Sequence, residues 1–322
     1  MLTSYWMCSL YIVTLAVIVL RIILRFGVKR CTSKVNMSGK VVIVTGANSG
    51  IGFYTALDLA RRGARVILAC RHEARGIRAR DQIIAATLNS NVVYKHLDMA
   101  SLYSVKKFCE DITRTEERVD VLVNNAGVYA LGDRYTDDGI VETMQVNYFS
   151  VFLLTDLLLP MIKAQRGRIV NVGSLAHYIG DLKPDHINKK GYYSEMITYA
   201  NSKFCIMAFT VELARRLRGS GVTVNAVHPG VVKTNITDTN RNILLDVVFW
   251  VLVWVCYRTA EEGAQSVVHC CVAEECAQTS GKFFVDCAVW RGPWKSESKI
   301  IHLNLWNISE KLLKYKQTNM KV

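Results

Sequence analysis

The 322-residue chain contains only four prolines, each isolated from the others. No Pro/Ser-rich linker, internal repeat or low-complexity tract divides it, so it reads as one large unit rather than a string of modules. The ten cysteines follow no disulfide-framework spacing, and no Cys-x-x-Cys occurs. Cys270 and Cys271 are adjacent, while Cys70, Cys205 and Cys287 sit inside apolar segments as buried thiols do. This pattern argues against zinc, so no metal is expected, and it favours a reducing compartment. Also missing is any Lys/Arg run interleaved with aromatics. Despite a net charge of +13, no nucleic-acid partner is expected. The dispersed positive charge suits either anionic lipid headgroups or plain solvation. Three sequons, at Asn36, Asn235 and Asn307, would matter only on a lumenal face.

What the chain does have begins with an apolar stretch. Tyr5 to Leu20 carries no charge, Arg21 interrupts, and Ile22, Ile23 and Leu24 continue it. The length is close to the roughly 20 residues that span a bilayer. Arg25, Lys29, Arg30 and Lys34 follow, and the excess of positive charge on that side places the remainder of the chain in the cytosol. A cleaved signal peptide would need a charged n-region and a small-x-small site, and neither is present. A helix lying in one leaflet is a third form. Residues 1–35 are therefore read as a membrane anchor with a basic flank, 38–290 as a catalytic domain, and 291–322 as a C-terminal tail.

From Lys40 the pattern alternates between β-branched runs and helical spacing. Strands are predicted at Val41–Thr45, Ala64–Cys70, Val92–Leu97, Val119–Val123, Arg168–Val172, Val222–Val227 and Lys282–Val285. Helices are predicted at Ile51–Arg62, Ala74–Leu88, Ser101–Thr115, Glu142–Ala164, Ser194–Arg218 and Ala260–Ala273. Such alternation implies an α/β, doubly wound (Rossmann-type) parallel sheet in a single domain.

The first strand runs into Thr45-Gly46-Ala47-Asn48-Ser49-Gly50-Ile51-Gly52. Gly46 permits a tight turn, Gly50 lets a pyrophosphate approach the backbone, and Gly52 lets helix and strand pack closely. Asn48, Ser49 and Ile51 complete a cradle whose helix N-terminus attracts phosphate. The second strand ends in Cys70-Arg71, with no acidic residue to accept from a ribose 2′-hydroxyl. Arg71 can instead pair with a 2′-phosphate, which points to NADP(H) over NAD(H). Its other reading is a strand-end cap. Asp98 ends the third strand, where it can bond an adenine edge or cap the next helix. Asn124-Asn125-Ala126-Gly127 ends the fourth, where small residues let the adenosine ribose lie on the backbone.

Tyr199 and Lys203 lie four apart in a predicted helix, on one face. A nearby ammonium favours phenolate and tunes a tyrosine for acid/base work. Ser174 ends the fifth strand, at the carboxyl edge where ligands bind, and can hydrogen-bond a substrate oxygen. Asn147, in the long helix, could hold a proton-relaying water or be a satisfied core amide. After the sixth strand, the backbone of Pro229 to Val232 and the Thr234 hydroxyl could hold a nicotinamide carboxamide.

Taken together, Thr45–Gly52, Asp98, Asn124–Gly127, Asn147, Ser174, Tyr199/Lys203 and Pro229–Thr234 resemble the ordered motif set of the short-chain dehydrogenase/reductase superfamily, over roughly residues 38–290. Leu68–Arg71, Ser174–His177, Glu212–Leu217 and Gly263–Ser266 resemble its retinol dehydrogenase branch. The resemblance implies Tyr199 as acid/base, Lys203 as its pKa tuner and ribose holder, Ser174 as substrate-oxygen donor and Asn147 as relay. It also implies NADP(H), membrane attachment and a lipophilic substrate of the retinoid or lipid-aldehyde kind. Two departures stand out. Tyr148-Phe149 replaces the branch's usual Gly-His, and 24 residues separate Ser174 from Tyr199 where many members have about a dozen.

Residues 236–258 are read as an apolar lid, because Ile243–Tyr257 is apolar nearly all round with Asp246 its one charge. A core or dimer-interface helix is the other reading, and a homodimer stays open. The expected activity is NADP(H)-dependent interconversion of a lipophilic alcohol and its aldehyde or ketone, of the retinol/retinal type, at an endoplasmic-reticulum or lipid-droplet membrane. A steroid or polyprenol carbonyl oxidoreductase is the alternative. A catalytically silent dinucleotide-binding membrane protein is a second, but it fits poorly with an intact Tyr199 and Lys203.

Overall fold

The computed structural model describes residues 11–12, 14–23, 27–129, 131–132, 134–232, 257–290 and 298–319. Thr234 and nearly all of the 236–258 segment fall outside these residues.

Seven parallel strands form the sheet's body. They are β1 (Val41–Thr45), β2 (Arg65–Cys70), β3 (Val92–His96), β4 (Val121–Asn124), β5 (Arg168–Val172), β6 (Thr223–His228) and β9 (Phe283–Val285). Their order is β3-β2-β1-β4-β5-β6-β9, so after β3 the chain crosses back to add β4 on the other side of β1, and the winding switches between β1 and β4. Ligands bind at such a switch point, beyond the carboxyl ends of the strands. Every residue of β1 and β4 is buried, as expected for strands covered on both faces. Full burial of a side chain such as Ile43 or Leu122 contributes about 1.5–3 kcal/mol.

The covering helices are α1 (Gly50–Arg61), α2 (Glu73–Thr87), α3 (Leu102–Thr115), α4 (Glu142–Ala164), α5 (Glu195–Arg216) and α6 (Ala260–Val272). One face is led by α1 and α6, which pack on each other, and the other by α3, α4 and α5. Ser101 caps α3 through Ser104 N–H (3.2 Å), and a Thr259/Glu262 capping box starts α6. The helix α4 is long and apolar enough to cross a membrane, but most of it is buried in the core. The N-terminal helix, described for Thr14–Ile23, is apolar and exposed.

Three features differ from the predicted elements. The last strand does not end the sheet: Asp286 and Cys287, at φ 51° and 55°, turn the chain into an antiparallel edge strand, β10 (Ala288–Val289). The two residues sit in the left-handed region that tight hairpin turns require. Second, α4 is not uniform. It widens to a π-turn at Gln145–Phe149, where Ser150 N–H reaches the Gln145 carbonyl five residues back. Third, the fold extends past 290 into a helix, α7 (Lys299–Asn319), that docks on α5. Trp306 of α7 packs 4.7 Å from Phe152 and under the Arg216 guanidinium at 4.0 Å. The Tyr148 hydroxyl bonds Ser309 at 2.7 Å. The Tyr148-Phe149 departure thus fills the seat of this helix. A two-residue β7–β8 pair (Val231–Val232, Tyr257–Arg258) borders the gap in the described chain.

Candidate active site

A cleft of about 640 Å³ opens along the carboxyl edge of the sheet. Gly46, Asn48, Ser49, Gly50, Ile51, Arg71, Asp98, Asn125, Ala126, Gly127, Ser174, Tyr199, Lys203 and Val232 line it, so most of the sequence-predicted site residues share one cavity. Two lie behind its wall, and each has a structural task. A Cβ on Gly52 would fall 2.6 Å from the Gly46 carbonyl oxygen and 3.0 Å from Ala47 Cα, so only glycine lets α1 approach β1 this closely. Asn147 spends its amide on Val128, accepting from its N–H (2.8 Å) and donating to its carbonyl (2.9 Å), and also donates to Ser202 (3.0 Å). Its side chain therefore acts as a strut between the π-turn, the β4 loop and α5.

At the phosphate end, Gly46 and Gly50 both have φ near +60°. Ser49 begins α1 without a side-chain cap, and no acid occupies the helix's first turn. The first-turn N–H groups are left for an anion. Thr45 anchors the facing loop, accepting through its hydroxyl from the Asn125 and Ala126 N–H groups (2.9 Å each). At the adenosine end, the Asp98 Oδ1 takes the Ala100 N–H (2.9 Å) while Ser101 caps the helix. The aspartate therefore need not cap and can face the cleft. His72 and Arg75 join Arg71 in the lining. Arg75 lies four residues after Arg71, a spacing that could have revealed it. The donor set fits a dinucleotide: uncapped helix N–H groups, a backbone cradle that Cβ atoms would fill, and two guanidiniums.

At the reactive end, Lys203 is buried, and its Nζ donates to the Val172 carbonyl at 3.0 Å. It lies 5.6 Å from the Tyr199 ring centre. Burial lowers its pKa from 10.5 to about 8. Burial raises the Tyr199 phenol, and a hydrogen bond with Ser174 partly offsets this. In the free protein the phenol therefore holds its proton at neutral pH, as a proton donor must. Ser174 is itself held in place: its hydroxyl accepts from Ala176 N–H (3.1 Å), and its carbonyl accepts from His177 Nδ1 (2.6 Å). His228 also lines the cleft. Burial, then the Arg258 charge, pushes its pKa down to about 4, so it stays neutral. Tyr129, which no spacing rule marks, packs edge-on against Tyr199 at 5.1 Å.

The geometry has counterparts among known proteins. A family model described as short chain dehydrogenase matches residues 40–243. Human retinol dehydrogenase 13 is 43% identical over 292 residues, covering 88% of this chain and 87% of that protein. Mouse retinol dehydrogenase 12 is 41% identical, covering 88% and 89%. Among solved structures, an uncharacterised protein from Mycobacterium paratuberculosis superposes with a TM-score of 0.68 at 30% identity, covering 87% of this chain and 95% of that one. A Beutenbergia cavernae protein described as a NAD(P)-dependent gluconate 5-dehydrogenase, with NADP bound at low occupancy, gives 0.63 at 26%, covering 78% and 96%. The chain therefore belongs to the short-chain dehydrogenase family, in its retinol dehydrogenase-like branch, and is an oxidoreductase of alcohols and carbonyls that uses a nicotinamide dinucleotide.

Proposed function

We propose that the protein is an NADP(H)-dependent reductase of lipophilic aldehydes or ketones, retinal-type above all, held at a membrane by its N-terminal helix with the catalytic domain on the cytosolic face. The observation that carries the cofactor choice is the adenosine end of the cleft. Arg71 and Arg75 line it, and the acid that would favour a free 2′-hydroxyl is missing from the end of β2. The similarity to retinol dehydrogenases 12 and 13 supports the substrate class.

Bound there, the dinucleotide supplies a hydride to a carbonyl carbon. The chain's own residues do the rest. Ser174 and the Tyr199 hydroxyl hold the carbonyl oxygen, and Tyr199 gives it a proton as charge develops there. Lys203, protonated below about pH 8, stabilises the phenolate left behind. The Val172 carbonyl fixes the Lys203 ammonium beneath the phenol. The reading is tested by titrating NADPH and NADH into the purified protein and its Arg71→Ala variant. NADPH is expected to bind at least tenfold tighter than NADH, and the variant to lose most of that ratio through weaker NADPH binding. Equal affinities in the parent protein would overturn the cofactor assignment.

A further inference from the structure

The segment between the N-terminal helix and β1 is strapped to the domain. At the C-terminal end of α1, Arg62 donates through Nη1 to the carbonyls of Ser33 (2.7 Å) and Val35 (3.2 Å). Met37 N–H bonds the Arg62 carbonyl at 2.8 Å. Further back along the chain, Cys31 N–H donates to the Gln265 side chain (3.1 Å), and Arg30 faces Glu261 at 3.9 Å. The Lys29 carbonyl meets the Cys287 thiol at 3.9 Å.

These partners give the strap a direction. Met37 lies where β1 enters, at the amino edge of the sheet. The helix α6 returns the chain between parallel strands, so its first turn, with Glu261, lies at the carboxyl edge. The Asp286–Cys287 turn lies there too, just beyond β9. From Met37 back to Lys29 the strap thus climbs the height of the sheet, and eight extended steps can cover about 28 Å. It delivers the N-terminal helix to the edge on which the cleft opens.

That edge also carries exposed apolar side chains. Val289 and Trp290 are 41% and 36% exposed. Trp290 Nε1 donates to the Tyr178 hydroxyl at 2.9 Å, in the turn that follows Ser174, and the neighbouring Ile179 is 46% exposed. Arg258 clamps the hairpin turn with two contacts to the Asp286 carboxylate. An arc of Lys29, Cys287, Val289, Trp290, Tyr178 and Ile179 therefore joins the exit of the N-terminal helix to the cleft mouth. Tryptophan and tyrosine with one apolar and one bonded end suit the water–lipid boundary, and the exposed Lys29, Arg30 and Lys34 suit anionic headgroups. The N-terminal helix itself is apolar and exposed, with Ile12 67% and Ile23 61% exposed. Apolar exposure beside basic and interfacial aromatic residues favours a lipid surface as its cover.

We propose that this arc is the surface by which the domain lies on a phospholipid bilayer, and that the strap holds the cleft mouth toward the membrane. The proposal rests on the membrane-anchored reading above and adds an orientation to it. It is tested with the full chain in nanodiscs of phosphatidylcholine and phosphatidylserine. An environment-sensitive fluorophore is placed at Val289→Cys or at Leu88→Cys, and the signal of the labelled parent chain is subtracted. Leu88 is 91% exposed and ends α2 at the opposite edge. Lipid-borne nitroxide is expected to quench the Val289 label at least twofold and to leave the Leu88 label unchanged, with NADPH binding reporting that each variant is folded. Equal quenching at both sites, or none at 289, overturns the orientation. A chain that does not enter the nanodiscs at all overturns the anchored reading as well. A second arm uses Val289→Asp. The KM for retinal delivered in vesicles should rise at least fivefold, while that for a short water-soluble aldehyde stays unchanged. An unchanged retinal KM, or a parallel rise in both, contradicts the proposal.

Discussion

Replacing Lys203 by methionine should make the cofactor-free protein more stable while removing its activity. Lys203 is 5% exposed and donates only to the Val172 carbonyl among described partners. The fall of its pKa from 10.5 to about 8 is a penalty of roughly 3 kcal/mol on the charged form at neutral pH. Methionine fills similar space without charge. Losing the hydrogen bond to Val172 costs about 1 kcal/mol, so the variant should gain about 2 kcal/mol at pH 7. The sign follows from linkage. Below about pH 8 both the folded and unfolded lysine are protonated, and the wild type carries the full penalty. Between about 8 and 10.5 the folded form releases its proton first, so wild-type stability recovers relative to the variant. By pH 10.5 the lost hydrogen bond is all that remains, and the variant should be the less stable by about 1 kcal/mol. Urea unfolding of both proteins at pH 7, 8, 9 and 10 reads this directly, and turnover should fall roughly 10²–10⁴-fold. A variant less stable at pH 7, with a difference that does not change with pH, would refute the burial argument.

Two further outcomes follow from packing. Gly52→Ala should abolish dinucleotide binding and cost about 1–3 kcal/mol, because the added methyl meets main-chain atoms of Gly46 and Ala47 that cannot move aside. NADPH titration and urea unfolding check both parts, and a variant that binds normally would contradict the close-packed loop. Trp306→Ala should cost about 3–5 kcal/mol in urea unfolding, because the ring fills the seat between Phe152, Phe209 and Arg216. A loss under 1 kcal/mol would mean that α7 is dispensable to the domain.

Much of the architecture was legible because each parallel strand is a short β-branched run and each glycine of the first turn has one geometric task. Each feature that sequence reading passed over has its own physical cause. The π-turn at Gln145–Phe149 adds one residue to a helix whose apolar pattern continues through it. The β9–β10 hairpin turns on Asp286 and Cys287, without the glycine or asparagine that usually signals such a turn, and its returning strand is two residues long. The helix α7 lies within the region 291–322 read as a tail, yet its Leu305, Trp306, Ser309 and Leu313 fall on one buried side. In the site, a side chain that must reach the cleft from a strand end or first helical turn could be placed from spacing, as Ser174 and Arg71 were. Tyr129, in a loop, could not. For Asn147 the residue was found but its side chain's partners were not, because they lie on two other elements.

The central claim is that Tyr199 protonates a lipophilic carbonyl during NADPH-dependent reduction. It is tested most directly by following NADPH oxidation by the full chain in detergent across all-trans-retinal, medium-chain aldehydes, a 3-ketosteroid and a polyprenal, beside the Tyr199→Phe variant. The account predicts turnover of retinal by the parent protein and its loss in the variant, with NADPH affinity unchanged. NADPH binding without turnover of any lipophilic carbonyl, or a variant as active as the parent, would contradict it.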